Sequence, residues 1–176
     1  MLRPTETIVE SDVLIGVPSN GLHTNGYSLV RHIYGLDNDT TPLNIYYDDL
    51  GETLAKALLK PHLPYYHDLR KIFGLVKGIA HITGGGLYEN VPRMLPTGVT
   101  AKFSTSLWDV PSIFNIIQTE GKVDSEEMYH VFNMGLGMVV AVQKNHVSKV
   151  LNLVKNSVVV GEIVESYQGN EVVIQN

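Results

Sequence analysis

The sequence predicts an α+β fold in which helices cover a mixed β-sheet. Short apolar runs of the length of buried strands alternate with segments whose apolar residues recur at helical spacing. The last two apolar runs, 158–164 and 171–174, are separated by a short turn-forming segment, 168–170, which favours an antiparallel hairpin. Interleaved helices and strands that end in an antiparallel pair are typical of a mixed sheet.

Length and composition favour one globular domain. The chain has 176 residues, of which 44% are apolar and 18% are charged, and a chain of this length buries roughly 70% of its extended surface. The net charge of −5 gives no basic footprint for nucleic acid, and no apolar run approaches a membrane span. The absence of cysteine excludes a disulfide scaffold. We therefore expect a cytoplasmic protein that binds neither nucleic acid nor membrane.

The first third of the chain predicts a buried strand followed by a helix. Residues 12–17 form a compact apolar run that ends at the turn-forming residues 18–21. Thr24 or Asn25 is placed to cap the next helix. The residues expected to form the buried stripe of this helix are Leu29, Val30, Ile33 and Tyr34. The polar residues 35–47 then predict a surface loop.

The middle of the chain predicts short helices around a central strand. Residues 50–60 have helix-forming composition, and Pro61 and Pro64 interrupt the chain after them. The inward residues of this helix are expected to be Leu54, Ala57, Leu58 and Leu59. Residues 65–73 predict another helix, 78–82 a central strand and 88–95 a further helix.

The C-terminal half adds strands and capped helices. The elements expected here are a strand over 99–103, a helix from Trp108 and Pro111 to Gly121, a helix from Asp124 to Phe132, a strand over 134–142 and a helix over 145–155. Asp124 can cap its helix while Glu127 answers as a capping box. The run 134–142 is apolar enough to be covered on both faces of the sheet.

The segment 80–87, with the sequence AHITGGGL, carries the strongest chemical signal. Successive glycines can adopt positive φ and leave their N–H groups uncovered, so a glycine turn before a helix can close around an anion. A phosphorylated ligand is therefore one hypothesis. The other is that the glycines simply turn a strand into a helix.

Two histidines, His23 and His81, stand at predicted strand-to-loop junctions beside glycine and a hydroxyl or amide side chain. Each can donate to a phosphate or a developing oxyanion, or move a proton near neutral pH. The alternative is that each satisfies buried backbone groups. The other histidines lack partners at metal-ligand spacing, so we expect them to be surface or structural and predict no metal site. These are His32, His62, His67, His130 and His146.

Asn133 joins a predicted helix to a glycine-bearing strand, where its amide could hydrogen-bond a ligand. It could equally be the C-terminal cap of the helix. The chain contains no Walker lysine loop, nucleophile elbow or zinc-binding histidine helix. Taken alone, these residues indicate an anion-binding α+β domain.

Four segments together resemble the C-terminal half of the phosphoribosylformylglycinamidine cyclo-ligase family, also called aminoimidazole ribonucleotide synthetases. In order, they are 17–31 (VPSNGLHTNGYSLVR), 80–87 (AHITGGGL), 89–96 (ENVPRMLP) and 132–138 (FNMGLGM). The likeness extends over nearly the whole chain, from about 12 to 164. The set is far more specific than any single segment.

The resemblance implies an enzyme of purine biosynthesis that converts formylglycinamidine ribonucleotide and ATP to aminoimidazole ribonucleotide, ADP and phosphate. In that family ATP activates the formyl amide oxygen as a phosphate ester, and the amidine nitrogen attacks the activated carbon. His23 and His81 match the family's motif histidines and are expected to polarise the amide or the transferred phosphoryl group. The residues expected to line the substrate and phosphate side are Asn25, Thr83, Gly84, Gly85, Gly86 and Asn133.

The resemblance also implies that ATP and Mg²⁺ are held mainly by an N-terminal half that this sequence does not contain. We accordingly expect 1–176 to be one C-terminal substrate-binding domain, inactive alone and part of a homodimer when complete. Residues 60–66, KPHLPYY, replace the family's usual Glu-Pro-Thr-Arg-Ile-Tyr pattern, which leaves open whether a local anion contact is kept. The implied fold is a helix-covered mixed sheet, partly ferredoxin-like.

Two alternatives to the cyclo-ligase stay open. One is a non-catalytic module that binds a nucleotide or a protein partner. The other is a different member of the same ATP-dependent superfamily, such as selenophosphate synthetase or thiamine monophosphate kinase. The His-Ile-Thr-Gly-Gly-Gly and Asn-Met-Gly segments favour the cyclo-ligase over this second alternative.

Overall fold

The computed structural model of the chain describes residues 7–166 and 172–175, within which eight strands and seven α-helices are found. The strands are β1 (Val13–Pro18), β2 (Tyr46–Tyr47), β3 (Glu52–Thr53), β4 (Val76–His81), β5 (Val99–Ser104), β6 (Leu136–Val142), β7 (Val158–Glu165) and β8 (Val172–Gln175). The helices are α1 (Tyr27–Tyr34), α2 (Leu54–Leu58), α3 (Tyr66–Leu69), α4 (Gly86–Asn90), α5 (Ser112–Gly121), α6 (Ser125–Val131) and α7 (Val147–Leu153). No helix in these ranges is long and apolar enough to cross a membrane.

Six strands form one mixed sheet in the order β4-β6-β1-β7-β5-β8, while β2 and β3 form a separate two-stranded sheet. β6 pairs antiparallel with both β1 and β4, and β7 pairs antiparallel with β1 and β5. Only β5 and β8, among the described pairs, are parallel. The prediction of an α+β fold with a mixed, helix-covered sheet is confirmed.

β6 is buried along its whole length because helices pack on both faces of the sheet around it. On one face, Val139 and Ala141 belong to a core cluster that includes Leu87 of α4. On the other, Val140 and Val142 pack in a cluster with Val150 of α7. Alternating side chains point to opposite faces of a strand, so a strand covered on both sides must be apolar throughout. The prediction for this strand is confirmed.

The predicted C-terminal hairpin is wrong. β8 does not pair with β7; it lies on the far side of β5 and runs parallel to it, with Ala101 opposite Val172. The predicted turn, 168–170, and Glu171 lie outside the described residues. Short spacing between two apolar runs suggested direct pairing, but β5 already occupies that edge of β7. The run 78–82 was also misplaced, because β4 lies at the edge of the sheet and not in its centre.

Several helix predictions also need correction. The residue before α1 is Gly26, with φ 77°, and no side chain caps the helix, so neither Thr24 nor Asn25 is a cap. Gly26 is required because a Cβ there would lie 2.0 Å from the Phe132 ring. α2 ends early and leaves Leu59 76% exposed instead of buried. At α6 the predicted cap is confirmed, since Asp124 accepts a hydrogen bond from the N–H of Glu126 and the helix ends before Phe132, whereas the reciprocal Glu127 bond of a capping box is not among the described hydrogen bonds.

Candidate ligand-binding site

Three of the segments singled out in the sequence meet at one end of the sheet. β1 and β4 flank β6 and run antiparallel to it, so their C-terminal ends lie where β6 begins. Pro18 stands opposite Leu136, and His81 stands opposite Met138. The loop after β1, the glycine turn after β4 and the junction before β6 therefore lie side by side.

His23 is held in the loop after β1 with a left-handed backbone, φ 58°, and is only 5% exposed. Its Nε2 lies 3.0 Å from Oδ1 of Asn20, whose Nδ2 donates to the Pro61 carbonyl at 2.9 Å. A backbone carbonyl can only accept, so this second bond fixes the orientation of the Asn20 amide and places its oxygen towards His23. Nε2 must then carry the proton, and Nδ1 is left as a lone-pair acceptor.

Four rings pack together around His23, and we call them the ring cluster: His23, His62, Tyr65 and His81. The His62 ring stacks on His23, with centroids 4.0 Å apart and an angle of 16° between the planes. It also lies 5.3 Å from His81. Tyr65 closes the group, 5.9 Å from both His23 and His62. His62 thus connects the two histidines that the sequence singled out.

Tyr65 is held in place by the backbone of β1 and β6, two neighbouring inner strands of the sheet. Its hydroxyl donates to the Pro18 carbonyl at the end of β1, at 2.9 Å. A Cβ at position 137 of β6 would lie 1.8 Å from the Tyr65 hydroxyl oxygen, so Gly137 leaves the space that the ring occupies. Burial raises the pKa of Tyr65, which keeps the hydroxyl protonated as a donor at neutral pH.

The electrostatics of the ring cluster favour the neutral forms of His23 and His81. Burial lowers the pKa of His23 from 6.5 to about 4, with smaller contributions from His62 and His81. The His81 side chain is more exposed, but partial desolvation beside the other rings, followed by His62, also lowers its pKa. A buried imidazolium loses hydration, and a second positive charge nearby disfavours it further. At pH 7 both His23 and His81 are therefore mainly uncharged.

Asn25 links the loop after β1 to the glycine turn after β4. Its Oδ1 accepts a hydrogen bond from the Gly84 N–H at 2.8 Å. Its Nδ2 is buried and has no partner in the part of the chain that the structure describes, and the same is true of Nδ1 of His23. Buried polar atoms are normally paired. One donor and one acceptor at the same end of the sheet are thus buried without a partner among the described residues.

The glycine turn itself is held mainly by Asn90 of α4. The Asn90 amide nitrogen donates to the carbonyls of Gly84 and Gly86, at 3.1 and 2.8 Å, and its Oδ1 accepts from the Thr83 hydroxyl at 3.1 Å. The Gly86 N–H bonds to the Thr83 carbonyl at 3.0 Å. Since the Gly84 N–H is also engaged, two of the three glycine N–H groups are occupied within the protein. This geometry favours the strand-to-helix turn over an open anion cradle.

Asn133 is completely buried and braces the end of the sheet. Its Oδ1 accepts from the Ser19 hydroxyl at 2.8 Å and from the Gly135 N–H at 2.9 Å. Its Nδ2 donates to the Gly21 carbonyl, also at 2.9 Å. Asn133 thereby connects the loop that carries His23 to the start of β6, and in this arrangement it stabilises the backbone of the site.

Replacing Asn133 with Ala is expected to destabilise the fold by about 3 kcal/mol, because it leaves buried donors and an acceptor unpaired. Urea denaturation followed by circular dichroism measures the loss. Ser19→Ala is the matched control, since it removes one bond of the same network and should cost only about 1 kcal/mol. Equal stability of the Asn133→Ala variant and the wild type, with weakened ligand binding, would instead make Asn133 a direct ligand contact.

The sequence found part of this site and missed the rest. His23, His81, Asn25 and the glycines were identified from their local patterns, and the structure brings them together. His62 was expected to be surface or structural, yet it lies inside the ring cluster. Asn20, Tyr65 and Asn90 were also missed as supporting residues. The departure from the family pattern at 60–66 was the one signal that could have pointed to His62 and Tyr65.

Fold and site together define a domain that presents polar and titratable side chains at one end of a mixed, helix-covered sheet. Across 7–166 and 172–175, no group of three His, Cys, Asp or Glu side chains is arranged to hold a metal ion. The chain belongs to the family described as AIR synthase related protein, C-terminal domain, whose sequence pattern matches residues 9–174.

Curated relatives are 40–46% identical to the chain over the aligned residues. The phosphoribosylformylglycinamidine cyclo-ligase of Caldanaerobacter subterraneus subsp. tengcongensis is 44% identical over 170 residues, covering 94% of this chain and 50% of the relative. The enzyme of the same name from Lachnospira eligens is 46% identical over 153 residues, covering 85% and 44%. The chain thus spans about half the length of the curated relatives that it matches.

Solved structures share the fold at low sequence identity. The hydrogenase maturation protein HypE of E. coli superposes with a TM-score of 0.55 at 21% identity, covering 96% of this chain and 48% of that one. The thiamine monophosphate kinase of Aquifex aeolicus gives 0.58 at 13%, covering 95% and 51%. A structure of AaThiL with AMPPCP and TMP gives 0.57 at 14%, covering 94% and 48%. These likenesses concern the fold alone.

Proposed function

We propose that the chain is the substrate-binding C-terminal half of a phosphoribosylformylglycinamidine cyclo-ligase. The complete enzyme would convert formylglycinamidine ribonucleotide and ATP to aminoimidazole ribonucleotide, ADP and phosphate, in the cytoplasm. The observation that carries the proposal is the meeting of His23, His81 and Asn25 at one end of the sheet. It is supported by relatives of that name that match almost the whole chain.

The side chains at this end of the sheet suit ring closure. The attacking amidine nitrogen must lose a proton, and Nδ1 of His23 is a neutral acceptor without a partner among the described residues. His81 is exposed at the end of β4 and can donate to the amide oxygen or to the phosphoryl group that leaves with it. Nδ2 of Asn25 offers a further donor. Thr83 and the glycines shape the wall beside them.

In this proposal ATP supplies the activation of the amide oxygen, and the part of the enzyme that this chain does not represent holds most of the ATP and Mg²⁺. The chain covers only half of its relatives, and a structural neighbour was solved with the ATP analogue AMPPCP. The contribution of residues 1–176 is to bind formylglycinamidine ribonucleotide and to position the reacting nitrogen and oxygen. The complete enzyme is proposed to be a homodimer.

The test combines the chain with a purified N-terminal half of a cyclo-ligase and follows the formation of aminoimidazole ribonucleotide. We expect product only when both halves, the substrate and ATP are present. A full-length relative serves as the positive control, and circular dichroism verifies that both halves are folded. A folded pair that binds the substrate nucleotide by calorimetry but makes no product would contradict the enzyme proposal and favour a non-catalytic binding module.

A further inference from the structure

His62 is the member of the ring cluster to which the proposed function gives no role. It is half-buried between Pro61 and Pro64, in a stretch without regular secondary structure. Its ring nevertheless covers one face of His23 at 4.0 Å and lies 5.3 Å from His81. An exposed loop histidine without a structural role would not need to stack on a buried one.

The position of His62 is fixed from both sides. On one side, the Pro61 carbonyl accepts from Nδ2 of Asn20 at 2.9 Å. On the other, the Tyr65 hydroxyl donates to the Pro18 carbonyl at 2.9 Å. The bond at Pro61 also orients the Asn20 amide, and the amide in turn selects the His23 tautomer with its proton on Nε2. The backbone that carries His62 is therefore coupled to the hydrogen bonding of His23.

We propose that His62 is a positioning residue of this site: its ring excludes water from one face of His23, so that the lone pair of Nδ1 remains available as a proton acceptor. The inference rests on the proposed function for its catalytic meaning, although the stacking and the tautomer stand without it. His62 acts through His23 and need not touch the reacting atoms.

The groups that face His23 support this role. His62 and Tyr65 come from the segment after α2, His81 comes from the end of β4, and Asn20 comes from the same loop as His23. None of these four side chains is a carboxylate that could stabilise an imidazolium. Protonation of His23 would place a positive charge beside two other histidines at a position that is only 5% exposed. The ring of His62 contributes both the cover and part of the repulsion.

The experiment is a titration of the histidine Cε1–H signals of the isotopically labelled 176-residue chain by NMR. The variants are His62→Ala, which removes the cover and the titratable ring, and His62→Phe, which keeps an aromatic cover but cannot titrate. His67→Ala is the control, because His67 contacts Tyr66 and lies outside the ring cluster. His23→Gln assigns the signal of His23.

In the wild type, we expect the pKa of His23 to be about 4. His62→Ala should raise this pKa by more than about one unit towards the ordinary value, because the cationic form gains water and loses a repulsive neighbour. His62→Phe should raise it less, and His67→Ala should leave it unchanged. An unchanged His23 pKa in both folded His62 variants would overturn the proposal, as would an equal shift in His67→Ala.

A second readout separates this inference from the proposed function. In the complemented enzyme, kcat/KM falls at low pH as the base is protonated. In His62→Ala this acid limb of the pH profile should shift to higher pH by the same number of pH units as the pKa of His23 in the NMR titration. The NMR titration needs no turnover. If the His23 pKa shifts but no product forms, the cyclo-ligase proposal is refuted and the positioning role of His62 stands. If product forms but the His23 pKa does not shift, the cyclo-ligase proposal stands and the positioning role of His62 is refuted.

Discussion

Replacement of His81 with Ala is expected to lower the turnover of the complemented enzyme by about 10²–10⁴-fold, the usual contribution of a positioned acid or base. His81 ends β4 with an exposed side chain, and among the described residues its ring packs against those of His62 and Tyr65. Its loss should therefore change the free energy of unfolding by less than about 0.5 kcal/mol. Turnover is measured as formation of aminoimidazole ribonucleotide, and stability is measured by urea denaturation.

His32→Ala is the control for this experiment, because His32 is an exposed residue of α1 and takes no part in the described ring contacts. It should leave both turnover and stability unchanged. Near-normal turnover of His81→Ala would show that His81 is structural, and the catalytic proposal for it would fail. A loss of turnover that accompanies unfolding would contradict the expected independence of the two effects.

Gly86→Ala should unfold the domain or destabilise it by more than about 4 kcal/mol, the range of mutations that force a buried clash. Gly86 is buried, begins α4 and has φ +55°. A Cβ at this position would lie 1.8 Å from the backbone carbonyl oxygen of Tyr129 in α6. Backbone atoms cannot rotate away as a side chain can, so α4 and α6 would have to separate. The midpoint of urea denaturation measures the effect.

Gly35→Ala is the matched control for Gly86→Ala. Both glycines have a left-handed backbone, but only Gly86 is closely packed. Gly35 has φ +63° after α1, and a Cβ there would meet nothing within 4 Å. It should cost only about 1 kcal/mol, the left-handed penalty of an L-residue. Equal losses in the two variants would mean that backbone conformation alone demands glycine at 86, and the proposed close contact of α4 with α6 would be wrong.

The glycine turn illustrates how one pattern can have two causes. Three successive glycines and a following helix suggested a phosphate site, because both an anion and a tight turn require residues of that kind. The structure supplies the distinction: Asn90 and Asn25 occupy much of the turn's hydrogen-bonding capacity, and Gly86 is needed for contact with α6. These contacts favour the tight turn, and they depend on residues outside the glycine segment itself.

The histidines show the same limit. His23 and His81 could be singled out because each stands in a distinctive local sequence that also resembles a known family. His62 stands between prolines in a segment that departs from the family's pattern, and that departure did not by itself indicate a contact with His23 or His81. Its importance comes from contact with residues 39 and 19 positions away, at His23 and His81, and that contact depends on how β1 and β4 are arranged around β6.

The amino-acid sequence by itself determined the α+β class, the two-sided burial of β6, most helix positions and the family. These features follow from the period of apolar residues and from local motifs. Only the tertiary structure decided that β8 lies beyond β5, that β4 is an edge strand and that His62 joins His23 and His81. The physical reason is that hydrophobic periodicity specifies which face of an element is buried, whereas the choice of neighbour depends on packing between residues far apart in the chain.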